Sequence, residues 1–153
     1  MLGRLAVTFN SKSFMRLEVH STFGALTTGM LDGAAGPSGG HEEGGFIVQN
    51  PAGALQVIRW PKGAAYTIDV PPHRGCVVEG LEIIASFHTH PNTGSDYLLE
   101  PGETDRRAVR DEPDLKAPHY VGELVISAAL LYCVAPSGSV DELGETESIL
   151  AGA

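Results

Sequence analysis

The sequence predicts a single α/β (α+β) domain, and three observations predict it. Most of the chain beyond residue 44 consists of short runs of β-branched, aromatic and other apolar residues separated by Gly and Pro turns, as in GGFIVQ, ALQVIRW and LEIIASF. Among them sits one stretch of helical character, TDRRAVRD at 104–111, with an acidic residue in its first turn. Finally, 153 residues with 42% hydrophobic and 19% charged positions can bury one sizeable core, and no internal repeat or long linker divides the chain. The domain is therefore taken as residues 1–153, with a core over about residues 40–143.

In chain order, residues 5–9 and 15–19 are short strand-like patches around a turn at Asn10-Ser11-Lys12-Ser13. Over 22–31 a weak helix is expected from Phe23, Leu26, Met30 and Leu31, opposed by Gly24 and Gly29. Residues 33–41 are Gly-rich and read as a flexible loop. Gly45–Gln49 and Ala54–Trp60 then form an antiparallel hairpin around Asn50-Pro51-Ala52-Gly53. Tyr66–Val70 is a further strand, Pro71–Gly75 a break, and Cys76–Val78 a short run before the strand over 81–88. A loop over 91–103 leads to the helix at 104–111, which Pro113 limits. Strands at Tyr120–Ser127 and Leu130–Ala135, a turn over 136–139 and a last strand over 140–143 close the domain, and 144–153 is a frayed tail.

Composition excludes several classes of function. The formal net charge is −9 with ten Lys and Arg in all, which argues against a nucleic-acid partner, because a phosphate backbone demands a basic surface. Gly, Thr and Asn interrupt the first ten residues before a signal core forms, and no apolar run reaches membrane-spanning length. The expectation is a cytoplasmic protein with no membrane partner; nothing in the sequence fixes its oligomeric state. Cys76 and Cys133 lack CxxC spacing and read as buried core thiols. Phe46, Trp60, Tyr66 and Phe87 read as core or sheet-face aromatics. His41, His73 and His119 have no partner spacing and read as surface or structural, and Arg106, Arg107 and Arg110 read as a solvated helix face.

The chemistry is carried by Ser86-Phe87-His88-Thr89-His90-Pro91 at the end of an apolar run. Alternate strand side chains share a face, so His88 and His90 stand roughly 6 to 7 Å apart along the backbone and can converge on one ion. Pro91 cannot donate to a ladder and so places the pair at a strand end. A catalytic zinc usually has three protein ligands and an open position for water. The third ligand is sought among Asp96, Glu100, Glu103 and Asp105, with Asp105 favoured because the start of a helix would hold it rigidly. The water also needs a general base, for which Glu42 and Glu43 are best placed.

These residues resemble the JAMM metalloproteases, also called MPN-plus domains. In that family an E-x-x-G opens a strand, an H-x-H-P ends a later one, and an S-x-x-D completes the site on a helix. Glu42-Glu43-Gly44-Gly45, His88-Thr89-His90-Pro91 and Gly102-Glu103-Thr104-Asp105 match the three in order. The resemblance implies a mixed, curved sheet flanked by a few helices, in the cytidine-deaminase-like JAMM architecture. It also implies Zn²⁺ held by His88, His90 and Asp105, with Glu42 as general base and Glu43 as second choice. The activity implied is hydrolysis of peptide or isopeptide bonds in a protein or peptide substrate.

Two features depart from the family pattern. The loop after His90 is longer than the commonest spacing, which would place the serine and aspartate at Leu98 and Pro101. Gly102 stands at the oxyanion position where the family has serine, and losing one such donor typically costs about 10²- to 10³-fold in rate. Thr104 and Ser95 are the nearby hydroxyls. The alternative reading is therefore a catalytically weak or inactive JAMM-like domain used for protein interaction, or a secretion- or toxin-associated binding protein whose acidic surface suits a basic partner.

Overall fold

The computed structural model describes residues 41–65, 67–90, 98–146 and 148. The elements expected within 1–40, together with Tyr66 and the 91–97 part of the loop after His90, lie outside the described residues.

Seven strands form one open, mostly antiparallel sheet: β1 (Gly44–Gln49), β2 (Leu55–Arg59), β3 (Val77–Val78), β4 (Leu81–His90), β5 (Glu123–Ser127), β6 (Leu130–Val134) and β7 (Val140–Glu145). The order is β2-β1-β4-β5-β6-β7, with β3 paired to the start of β4. Only β4 and β5 run parallel among the described pairs, and the crossover between them carries the helix α1 (Glu103–Arg110) and a 3-10 turn at Pro113–Leu115. The domain is thus of mixed α/β type, with one α-helix among the described residues.

The hairpin forms as expected, Gly45 pairing Arg59 through Gln49 pairing Leu55. Three expectations need correction. Residues 67–70 are irregular rather than a strand: Pro71 and Pro72 deprive the following segment of ladder donors, and Pro71 restricts Val70 itself. The strand expected from Tyr120 begins at Glu123, because Gly122 has φ 139°, and a Cβ on it would lie 2.4 Å from the Val134 carbonyl oxygen. The last strand runs on to Glu145, and Thr146 is buried with its N–H given to Ala129 O at 3.0 Å, so the chain is still anchored past Gly144.

Two apolar clusters pack on opposite faces of the sheet. Along β5, Leu124 and Ile126 join one with Phe87, Ile47 and Leu131, while Val125 joins the other with Phe46, Trp60, Ile83, Val109 and Leu115. The strand β4 changes phase between the two. Ile47 pairs Ala85 but Val48 pairs Ile83, so Ile84 is an extra residue on β4, a bulge. Ile84 and Ala85 both turn to the first cluster, and beyond the bulge Ser86, His88 and His90 continue the face that Ile83 began.

Both glycines that open β1 are required by close packing. A Cβ on Gly44 would lie 2.4 Å from the Trp60 ring, and one on Gly45 would lie 2.8 Å from both Ile58 O and the Phe87 ring. The absence of these Cβ atoms lets β1 press against its neighbours, with Gly44 paired to His88, and Glu42 two residues earlier lies by the end of β4.

Candidate metal centre

His88 and His90 project from the end of β4, with side chains 5% and 12% exposed. Asp105 reaches them from the first turn of α1, where its Oδ2 also accepts the Gly102 N–H at 2.8 Å, the acidic half of a capping box. Three separations define the cluster: His88 Nε2 to His90 Nε2 is 3.2 Å, His88 Nε2 to Asp105 Oδ1 3.2 Å, and His90 Nε2 to Asp105 Oδ2 3.4 Å.

The second nitrogen of each ring settles what the first can do. His90 Nδ1 is 3.2 Å from Leu99 O, a carbonyl that only accepts, so Nδ1 carries the proton there. His88 Nδ1 is 2.9 Å from Glu123 Oε2 and donates likewise. In the neutral rings both Nε2 atoms are then bare lone pairs, facing one another and a carboxylate. Three acceptors converging on one point require a cation between them, a proton or a metal ion. Ligand atoms about 2.0–2.1 Å from a tetrahedral zinc stand about 3.3 Å apart, which the three observed separations fit.

In the metal-free state the proton takes that role. Burial opposes charge on His88, but the carboxylates of Glu123 and Asp105 outweigh it and raise the imidazole to about 10. Burial likewise works to raise the Asp105 carboxyl, and its hydrogen bonds to His88 and His90 prevail and hold it well below the ordinary range.

Glu42 lies just before β1, 5% exposed, with its backbone fixed by Glu42 N–H to Ala64 O at 2.8 Å and Gly63 N–H to Glu42 O at 2.9 Å. Ligand atoms of Glu42, His88 and His90 all lie within 4.8 Å of one another, so this group could hold a metal ion. Burial raises the Glu42 carboxyl, with His88 and His90 opposing. Glu43 points the other way, as the two-residue period of an extended chain demands. It binds His41 Nε2 at 2.8 Å and Arg59 at 2.9 Å, and despite partial burial these partners lower its carboxyl. The structure therefore brings Glu42 to the histidines, and Glu43 is committed elsewhere.

Of the other acidic candidates, Asp96 lies outside the described residues and Glu100 is exposed. Glu103 faces solvent among Arg106, Arg107 and Arg110, which bears out the solvated-face reading of those arginines. Gly102 is the N-cap of α1, and a Cβ there meets only Leu98 Cδ1, at 3.2 Å, and the Asp105 carboxylate, at 3.9 Å. A serine fits with a small shift of an exposed leucine. Thr104 lines the cavity next to the cluster, and Ser95 lies outside the described residues.

Sequence reasoning missed the support behind His88. Glu123 opens β5 opposite Ser86, and its Oε1 accepts the Ser86 hydroxyl at 2.9 Å. With that proton spent, the Tyr120 hydroxyl must be the donor to Ser86 Oγ at 2.7 Å. The chain Tyr120 to Ser86 to Glu123 to His88 is buried throughout. The available signal was one acid at the head of the apolar run Leu124-Val125-Ile126, where a charge that is buried needs a partner.

Compared with known protein families and with curated proteins, the chain matches no family model and no curated sequence. Among the described residues, no helix is long and apolar enough to cross a membrane.

Proposed function

We propose that this protein is a zinc-dependent hydrolase of peptide or isopeptide bonds, of JAMM type. The observation that carries the proposal is the convergence of two bare Nε2 atoms, each with its Nδ1–H spent on another acceptor, on the Asp105 carboxylate beside Glu42. His88, His90 and Asp105 would hold the ion. A divalent cation there supplies Lewis acidity and brings the pKa of a water toward neutrality. Glu42, a carboxyl already raised by burial, takes a proton from the attacking water and returns it to the leaving amine. Asp105, tied to the N-terminus of α1, keeps the two imidazoles turned toward each other, and the cavity beside the cluster admits the substrate.

The test is metal content with hydrolysis. The purified protein should carry one zinc per chain, and His88→Ala with His90→Ala should lose it. Glu42→Gln should keep the zinc and abolish cleavage of an isopeptide-linked or peptide substrate. Zinc at far below one equivalent, or hydrolysis undiminished in Glu42→Gln, would overturn the reading. A second reading, a metal-holding domain used for binding rather than turnover, is favoured by Gly102 alone, which leaves the expected hydroxyl missing.

A further inference from the structure

The metal cluster forms one end of a cavity of about 250 Å³, with Glu42, His88 and Asp105 on its wall. Much of the remaining surface is hydrocarbon. Phe46, Trp60 and Leu115 of the second apolar cluster make its floor, and Ile68 packs against that cluster. Asp105, Ala108 and Glu112 follow at intervals of three and four residues, so one stripe of α1 and the turn after it runs along the cavity. Val70, 45% exposed, and the exposed Ala108 leave apolar surface at its mouth. The alternation of Ile68 and Val70, which resembles a strand in sequence, thus supplies a cavity wall. The lining carries four carboxylates, and no Lys or Arg among the described residues. Three of the four are engaged at the metal end: Glu42 and Asp105 at the histidines, and Glu123 by Ser86 and His88 at 2.9 Å each. Glu112 stands about 10 Å beyond Asp105 along the helix and accepts the Asp114 N–H at 3.0 Å.

We infer that this cavity is a specificity pocket for an aliphatic side chain, of about leucine size, that flanks the scissile bond of the substrate. The inference rests on the hydrolase reading for the scissile bond and on the cavity alone for the side chain. Its volume lies below the range of pockets that take a whole small-molecule ligand, so it holds one side chain rather than a length of backbone. An aliphatic chain entering between Ile68, Val70 and Ala108 removes their exposed surface and its own from water, and this drives binding without any polar partner. An acidic chain would meet carboxylates with no cation to receive it. Because the cavity shares its wall with the cluster, a chain seated there leaves its backbone at the metal end, where the water is activated.

Trp60 is the sole tryptophan and lies on the floor, so its fluorescence reads the pocket directly. The protein as purified is titrated with the N-acetyl methylamides of leucine, alanine, lysine and glutamate. The leucine probe should change the emission saturably and bind at least about tenfold more tightly than the alanine probe, as a hydrophobic pocket discriminates by methylenes. Lysine and glutamate should bind no better than alanine. Ala108→Leu, at an exposed helix position, fills the cavity from its α1 side and should erase the preference for leucine; Val70→Asp, which puts a charge at the mouth, should weaken it. No saturable change with any probe, leucine no tighter than alanine, or a preference unaltered in Ala108→Leu would overturn the inference. Lysine binding as tightly as leucine would overturn it too, since Glu112 would then be receiving a cation. Because the titration needs no turnover, a leucine preference without hydrolysis would sink the hydrolase reading and leave the pocket standing. Hydrolysis indifferent to the flanking side chain would do the reverse.

Discussion

At the scale of single residues, His88 is held on both sides by carboxylates, and each side makes a prediction. Glu123 fixes the tautomer and raises the basicity of the ligand nitrogen, the role outer carboxylates play at metal-bound imidazoles. Glu123→Gln keeps a hydrogen-bond acceptor and removes the charge, so zinc affinity should fall about 10- to 100-fold, measured by competition with a chelator. An unchanged affinity would mean that Glu123 serves only the core. On the other side, the raised His88 value makes the metal-free protein pH-sensitive in a defined direction. The folded state holds a proton that the unfolded chain releases near 6.5, so the stabilisation is complete below that pH. It is lost as pH rises toward about 10. Thermal melts of metal-free protein should therefore fall across that window, and His88→Ala should flatten the decline. Asp105, held below the ordinary range, contributes the opposite limb, present above the usual carboxyl value and lost only in stronger acid.

At the scale of elements, the start of α1 decides both the third ligand and the missing hydroxyl. Gly102 and serine are close as N-caps, differing by a few tenths of a kcal/mol. Gly102→Ser should consequently leave the melting temperature nearly unchanged while raising the rate of hydrolysis; a loss of bound zinc instead would show that the serine displaces Asp105. Strand β4 and helix α1 were legible in the sequence because each depends on local pattern: an apolar run ending in His-x-His-Pro, and an acidic first turn. What local pattern could not show was pairing between distant segments. Glu123 faces Ser86 only because β4 and β5 are parallel neighbours, and Glu42 parts from Glu43 only because β1 is extended from its first residue. Tyr66–Val70 misled because an apolar alternation four or five residues long resembles a strand whether or not a neighbour is there to pair it.

For the whole molecule, the site joins segments that are far apart in the chain. Glu42 precedes β1, the histidines end β4, Asp105 begins α1 and Glu123 opens β5. An ion bound by such a set binds the folded state and has little to hold in the unfolded one, so metal and stability are linked. At a hundredfold excess over Kd, zinc should add about 2.7 kcal/mol, a rise in Tm of roughly 5–10 °C for a chain of this length. Chelation should reverse it, and a Tm indifferent to zinc would separate the cluster from metal binding altogether. The acidic surface works in the same direction, drawing cations toward a site whose charge a metal would offset.

The bulge at Ile84 gives the strand an odd count where an even one would be the rule. Straightening β4 with that residue kept would reverse its parity: Phe87 and Thr89 would look into the cavity and the imidazoles would be driven into the opposite apolar layer, whereas deleting the residue would only restore regular alternation. The loop that follows His90 has no such arithmetic, since its length changes only how far α1 stands from the strand. Variation in this domain is thus expected to be permissive after the histidines and at the bulge itself, and intolerant of a single insertion or deletion between Ala85 and His88, where nothing absorbs the change of parity.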